Sequence, residues 1–437
     1  MNVREINSLL INGNIDQSGL FPHLDELNTA PVIFHFDFGL PELPTQSGLI
    51  QIRGPRQYGK STWLEQQAYL SAREYGSAST FYLNGDWIAD ADVLTNELHI
   101  LNNLFHRDAT VRRIFIDEIT AIDNWEKAVK RLFDAGELKN VLLVTTGSKA
   151  TDLRRGAERL PGRKGRLKRT QYLFTPVPYK EFKRVMGDEL KEYTLFGYML
   201  TGGCPMAAIA LVNEKHLPTY VTATIRDWVF GECAASGRQR ATLITLMQTL
   251  MRFATTPIGQ AKIAREAGLA NNTVAAGYLE LLADLMIVGI SGSWDASRNV
   301  VQSRRPAKFP FVNLLAAIAF SANAPNTVKA FANMPHEILG KYFEWLVAQE
   351  LWSRAAVRGD DVPEHLPFWQ TKKHELDFVI NSKKFIEVKH GQASAFEFSW
   401  FVQTFPHAQL LVINKDKFTA GNISGVTMEQ FLLEHEV

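Results

Sequence analysis

Gly54-Pro55-Arg56-Gln57-Tyr58-Gly59-Lys60-Ser61 follows the apolar run Leu49-Ile50-Gln51-Ile52 and leads into a helical pattern from Thr62 to Leu70. Glycines at both ends of such a stretch let the backbone wrap closely around phosphates, with its amides turned inward. The pattern reads as a P-loop, in which Lys60 pairs with the β- and γ-phosphates and the Ser61 hydroxyl sits on Mg²⁺. ATP with Mg²⁺ is therefore the expected ligand, cradled by Gly54, Pro55, Arg56, Gln57, Tyr58, Gly59, Lys60, Ser61 and Thr62. The plainer alternative is an ordinary strand-turn-helix. Context decides against it, because a strand precedes the loop, a helix follows it and an acidic element lies downstream.

From Leu49 to about Phe174 strand and helix patterns alternate, which predicts a parallel sheet covered by helices. Within it, Arg113-Ile114-Phe115-Ile116-Asp117-Glu118 reads as a buried strand ending in two acids. At the carboxyl end of such a strand Asp117 can hold Mg²⁺, directly or through water, and Glu118 can deprotonate the attacking water. A further strand, Val141 to Thr146, runs into Gly147-Ser148. Ser148 or Thr146 could reach the γ-phosphate or its water; alternatively Ser148 caps the next helix. Beyond it, Arg154, Arg155, Arg159, Arg163, Lys164, Arg166, Lys168 and Arg169 are opposed only by Glu158. Such a cluster could neutralise DNA phosphates, serve a nucleotide in a neighbouring subunit, or simply be a solvated face.

The chain has 437 residues and a formal net charge of +1, enough for two or three domains but without a global basic signal. Any nucleic-acid contact must therefore come from a local patch. Cys204 and Cys233 are its only cysteines, which excludes a disulfide framework and fits a reducing compartment. No stretch approaches a membrane span, and Met1 to Leu10 lacks the basic-then-apolar run of a signal peptide, so a cytoplasmic protein without a membrane partner is expected.

After a helical stretch, Arg240 to Phe253, Ile258 to Gly268 and a helix capped by Asn271 read as helix-turn-helix, with Ile287 to Ile290 beginning a wing. The outer face of the third helix is expected to carry Asn271, Asn272, Ala275, Ala276 and Glu280. That face has little positive charge and favours a lid or packing module over base readout. Further on, a helix over Gly340 to Leu351 precedes the strand Pro367 to Thr371, then His374 to Ile380, a turn at Asn381 to Lys384, and Phe385 to His390. Alternation places Glu375 with Asp377 and Glu387 with Lys389, leaving Ile386 and Val388 toward the core. A hairpin would bring Asp377 beside Glu387 and Lys389. The two carboxylates could then hold Mg²⁺ or Mn²⁺ while Lys389 orients water or steadies charge on a scissile phosphate.

The series Gly-Pro-Arg-Gln-x-Gly-Lys-Ser, Ile-Phe-Ile-Asp-Glu, Thr-Gly-Ser, Leu160-Pro161-Gly162-Arg163 and Pro176-Val177-Pro178-Tyr179-Lys180-Glu181-Phe182 resembles a large prokaryotic family of AAA-type ATPases. In that family a winged helix and a restriction-endonuclease-like domain follow the ATPase. The resemblance runs from about Thr45 to the C-terminus. It implies that Arg163 acts on the phosphates and that Pro205, in Gly202-Gly203-Cys204-Pro205, packs near the adenine; Cys204 stands where an aromatic residue is usual. The C-terminal set is similar to the PD-(D/E)xK nuclease pattern, with Asp377, Glu387 and Lys389 in the signature positions, Leu376 in place of the first proline, and Glu344 as the added helical acid of some branches.

The implied fold is α/β: a P-loop NTPase parallel sheet, then a helical winged-helix region, then an α/β restriction-endonuclease-like domain. The expected boundaries are 1–48 for an N-terminal segment, 49–185 for the ATPase core, 186–300 for the lid and winged helix, and 301–437 for the nuclease-like domain. The expected function is an ATP-hydrolysing AAA-type ATPase coupled to a Mg²⁺- or Mn²⁺-dependent nuclease-like domain acting on DNA, with homo-oligomer formation open. The alternative is an ATP-driven switch or assembly protein whose C-terminal domain binds nucleic acid or protein without cleaving.

Overall fold

The run Leu49-Ile50-Gln51-Ile52 lies in strand β1 (Gly48–Arg53), buried along almost its whole length. The computed structural model describes residues 3–148, 167–302, 304–360 and 366–434. Around β1 are β2 (Thr80–Asn84), β3 (Arg113–Asp117), β4 (Leu142–Gly147) and β5 (Gln171–Leu173), in the order β2-β3-β4-β1-β5. All the pairings are parallel. Strands this uniformly apolar suit a parallel sheet covered on both faces. On one face Phe81, Leu83, Ile114, Ile116 and Leu143 pack against Leu94 and Leu98 of α4 (Ala91–Leu104) and Val129 and Leu132 of α5 (Trp125–Asp134). The connection leaving β1 runs toward β2 and the one leaving its neighbour β4 runs the opposite way, past β1 to β5, so a crevice opens at the carboxyl ends of β1 and β4.

Within the N-terminal segment, two helices pack on this first sheet and its helices. In α1 (Val3–Ile11) the Asn7 amide donates to the Tyr82 carbonyl at 2.9 Å and accepts from its N–H at 2.9 Å, satisfying outward groups of the edge strand β2. Helix α2 (Pro22–Thr29) is anchored by Glu65 of α3 (Lys60–Tyr75), whose carboxylate accepts the amides of His23 and Leu24 at 2.9 and 3.1 Å. Carboxylates are favoured at a helix N-terminus. The buried Arg113 guanidinium ties the connector down by donating to the carbonyls of Leu43 and Pro44.

These elements belong to a compact unit of Met1–Ile33 and Asp37–Thr175; a second unit comprises Phe34–Phe36 and Pro176–Val437. In the second, Phe34 stacks on Phe182 of α6 (Tyr179–Leu190) and the His35 N–H donates to Glu181 at 2.6 Å. Helices α7 (Thr194–Thr201), α8 (Pro205–Glu214) and α9 (Thr219–Ala235) lead to α10 (Arg240–Arg252), α11 (Gln260–Glu266) and α12 (Asn272–Asp284). The antiparallel hairpin β6 (Ser293–Asp295) and β7 (Val300–Gln302) follows. Asn271 caps α12 as expected, accepting from the Val274 amide. The helix is rotated from its expected setting: Ala275 is fully buried and Val274 is 37% exposed. The inner face is Ala275, Tyr278, Leu279 and Leu282, a tighter helical stripe than one running through Val274.

Helices α13 (Leu314–Phe320), α14 (Val328–Ala332) and α15 (His336–Arg358) precede the C-terminal strands, α15 being longer at both ends than Gly340 to Leu351. The short β8 (Trp369–Gln370) pairs with β9 (Glu375–Leu376). Next come β10 (Phe378–Asn381), β11 (Lys384–Val388), α16 (Ser399–Thr404), β12 (Gln409–Ile413), β13 (Phe418–Ala420), β14 (Ile423–Val426) and α17 (Met428–Glu434). Their sheet order is β10-β11-β12-β14-β13, with β11, β12 and β14 mutually parallel. The expected hairpin across Asn381 to Lys384 is present as β10–β11. The expected continuous strand His374 to Ile380 is not, because the ladder changes partner at Asp377, between β9 and β10. Val388 is only half-buried, whereas Phe385 joins Ile386 in the interior, since the sheet is covered on both faces.

Candidate functional site

Gly54 ends β1 at a point where a side chain would not fit. A Cβ there would lie 2.7 Å from that of Phe174 and 2.9 Å from its carbonyl oxygen. Gly59, at φ +99°, starts α3 in a conformation that favours glycine, and no side chain caps the helix. Uncapped amides at a helix start suit an anion. Between them Arg56 and Gln57 are exposed, Pro55 is buried and Tyr58 is 1% exposed. Lys60, Ser61 and Thr62 form the first turn of α3. The Lys60 ammonium is buried and donates to the carbonyls of Gly54 and Pro55 at 2.9 and 2.7 Å. Burial pushes its pKa down to about 8, against the pull of Glu118 and Asp117.

Asp117 is buried at the end of β3 and accepts the Thr146 hydroxyl from β4, a short contact. The same Thr146 oxygen accepts the Glu118 N–H at 2.9 Å. Glu118 itself sits at φ +49°, which for a non-glycine residue is held by its surroundings. Its carboxylate accepts from the Thr120 hydroxyl at 2.6 Å and from the amide and hydroxyl of Ser148 at 2.9 and 2.8 Å. Burial pushes the Glu118 carboxyl up, but the Lys60 charge and the hydrogen bonds from Thr120 and Ser148 outweigh it and leave it below the usual range. Arg56 donates to Ser148 at 3.1 Å. Thus Thr146 and Ser148 both reach the acidic pair, Thr146 through Asp117 and the Glu118 amide, Ser148 through the Glu118 carboxylate. The loop, its lysine and the acids converge at the β1–β4 crevice, and their chemistry fits a nucleoside triphosphate with Mg²⁺.

The second constellation lies wholly in the other unit. Asp377, Glu375 and Glu344 of α15 surround the ammonium of Lys308, at 3.0, 2.6 and 3.2 Å. Asp377 also accepts the Val388 N–H at 2.9 Å, and Lys389 pairs with Glu387 at 2.5 Å. Glu387 Oε2 is buried with no hydrogen-bond partner among the described residues. Burial and then the Asp377 charge push the Glu387 carboxyl up to about 8, against the pull of Lys389 and Lys308. Burial and Asp377 likewise push Glu344 up, against Lys308. Asp377, Glu387, Lys389 and Glu344 are therefore brought together as the sequence suggests. Lys308 is a member the sequence reading missed. Its only signal is a charge inside the apolar stretch Pro306-Ala307-Lys308-Phe309-Pro310. Among the described residues no group of three or more His, Cys, Asp or Glu is arranged to hold a metal ion, and this cluster in its present form does not fit one.

Residues 46–183 match the family model of an AAA domain. The match spans the P-loop, Asp117, Glu118, Thr146 and Ser148, so these residues belong to an AAA-type P-loop domain. The uncharacterized protein MJ1544 of Methanocaldococcus jannaschii is 24% identical over 419 residues, covering 89% of this chain and 85% of that protein. Among solved structures, RuvB of Thermotoga maritima is similar at 12% identity and TM-score 0.30, covering 55% of this chain and 81% of that one. Cdc6p of Pyrobaculum aerophilum is similar at 14% identity and TM-score 0.28, covering 66% and 98%. At TM-scores this low, the assignment rests on the family model, the strand order and the loop geometry.

Of the other expected residues of the AAA domain, Arg163 lies outside the described residues, as does the basic stretch as far as Arg166. Arg169 stacks on Tyr172 at 4.3 Å and donates to the Gln171 carbonyl. Pro205 is in the second unit, at the start of α8, after a left-handed turn at Gly202 and Gly203. Cys204 is fully buried there, and burial pushes its thiol up to about 12. No helix among the described residues is long and apolar enough to cross a membrane.

Proposed function

We propose that this protein is an ATP-hydrolysing AAA-type switch. The observation that carries the reading is the buried Lys60 at the head of an uncapped helix, facing the Asp117–Glu118 pair. Gly54 to Thr62 would wrap the triphosphate, with Lys60 exchanging its two carbonyl partners for phosphate oxygens. Ser61 and Asp117 would hold Mg²⁺, which when bound neutralises charge on the β- and γ-phosphates. Glu118, ionised at neutral pH, accepts a proton from the water that attacks the γ-phosphate. Ser148 and Thr120 fix the direction of its carboxylate, and Thr146 fixes Asp117 and the Glu118 backbone. Steady-state phosphate release tests the reading. Lys60→Ala should lose nucleotide binding and turnover, whereas Glu118→Gln should keep binding and lose about 10²–10⁴-fold in turnover. Unchanged turnover in both variants would overturn it.

The C-terminal part is read as a nuclease-like fold, supported by α15, the β10–β11 hairpin, α16 and the parallel β12 in succession. Helices α10 to α12 with the β6–β7 hairpin are read as a winged helix that serves packing, since Asn271, Asn272, Thr273, Val274 and Glu280 leave the exposed face of α12 without a basic side chain. The Lys308 pairing favours a C-terminal domain that binds nucleic acid or a protein partner without cleaving. Convergence of Asp377, Glu387 and Lys389 supports a second reading, metal-dependent DNA cleavage. Degradation of single-stranded, duplex and branched DNA with Mn²⁺, with and without ATP, separates them: cleavage that Asp377→Ala abolishes would establish the nuclease, and none on any substrate the binding module.

A further inference from the structure

Lys308 has its backbone clamped before its side chain does anything. It exchanges both main-chain hydrogen bonds with Ser291, at 2.8 and 2.9 Å, and its neighbour Ala307 does the same with Ile258, at 2.9 and 3.2 Å. From that anchor the side chain crosses the Phe368 ring, 5.5 Å from its centroid, and ends among carboxylates with 3% of its surface exposed. An ammonium has three N–H donors and no acceptor. Here the three nearest acceptors are three different carboxylates, those of Glu344, Glu375 and Asp377, at 3.2, 2.6 and 3.0 Å. Those to Glu344 and Asp377 are hydrogen bonds, and that to Glu375 is an ion pair. The oxygens stand farther from the position of the ammonium nitrogen than the about 2.0–2.1 Å at which Mg²⁺ would require them.

We infer that Lys308 is the resident cation of the C-terminal carboxylate cluster, standing where a divalent metal would otherwise be held. The inference does not depend on whether the AAA domain hydrolyses ATP. Two features carry it together: a buried ammonium that donates to Glu344 and Asp377 and pairs with Glu375, and a main chain held on both sides by paired hydrogen bonds with Ser291 and Ile258. Removing a buried charge from such a set leaves its partners uncompensated unless another cation enters. The inference also explains why the acids converge although the cluster in its present form does not fit a metal. One side chain meets Glu344, Glu375 and Asp377, and it comes from the segment that bridges to Ser291, far along the chain from Asp377.

The test is Mn²⁺ binding by the full chain without nucleotide, followed by electron paramagnetic resonance of free Mn²⁺ and by melting temperature. Wild type should bind no Mn²⁺ that Asp377→Asn abolishes, and its melting should be indifferent to Mn²⁺ and to EDTA. Lys308→Ala should melt lower, gain one Mn²⁺ site, recover stability on adding Mn²⁺, and lose both gains when Asp377→Asn is added. Wild-type binding of Mn²⁺ that is lost in Asp377→Asn would overturn the inference, because Lys308 would then be displaced by metal. So would a folded Lys308→Ala that gains no site. If Lys308→Ala does not fold, the charge-matched Lys308→Met/Asp377→Asn variant decides. Recovery of folded protein supports the pairing, and a loss as large as in Lys308→Met alone overturns it.

Discussion

Lys60 shows how far one side chain's chemistry depends on its surroundings. Its ammonium is buried against the carbonyls of its own loop, and its pKa lies at about 8 instead of the ordinary lysine value of about 10.4. A bound triphosphate would favour the charged form and raise that pKa. Binding above pH 8 then takes up a proton, so ATP affinity should be full below about pH 8 and fall as pH rises beyond it, at most about tenfold per pH unit. Titration with a fluorescent ATP analogue from pH 7 to 9.5 would read this; a flat profile would mean that Lys60 stays charged without nucleotide. The identities of Lys60, Asp117 and Glu118 were legible because phosphate and metal chemistry admits few residue types at a strand-loop-helix junction. What the sequence left open was Thr146 against Ser148. The fold uses both, because β4 lies beside β3 and carries the two hydroxyls past the acidic pair.

At the scale of elements, β2 is the edge of the first sheet, and an edge strand exposes unpaired N–H and C=O groups. Helix α1 covers it, and its Asn7, 4% exposed, meets both main-chain groups of Tyr82. Asn7→Ala would leave that amide and carbonyl buried without partners. The expected cost is about 2 kcal/mol, within the range for unsatisfied buried groups, seen as a lower urea midpoint with unchanged slope. An equal midpoint would show that water replaces the side chain. The helical pattern over Gly340 to Leu351 found α15, whose ends lie farther out on both sides. Periodicity misplaced α12, where Val274 and Ala275 are both apolar and pattern alone does not say which one turns inward. It also missed the break at Asp377, because a change of ladder partner depends on which strands are neighbours and not on alternation within one strand.

For the whole molecule, a ligand that binds only the folded chain stabilises it by mass action, by about 2.7 kcal/mol at a hundredfold excess over Kd. Calorimetry with excess ATP and Mg²⁺ should therefore raise the melting temperature of wild type and leave Lys60→Ala unmoved. A shift that persists in Lys60→Ala would place the nucleotide elsewhere. The carboxylate cluster draws on segments far apart along the chain: Lys308 before α13, Glu344 in α15, and Asp377 and Glu387 around β10 and β11. No window of sequence contains them together.

The P-loop, the acidic strand end, the sequence of strands and helices, and the Asp377–Glu387–Lys389 spacing were readable because each is a local pattern tied to a local chemical need. Strand order, the packing of the N-terminal segment, the hydroxyls that hold Glu118, and Lys308 as partner to three acids were decided by tertiary structure alone. The physical reason is that a buried charge or an edge strand specifies only that a partner must exist. Which residue supplies it is set by the path of the chain in space.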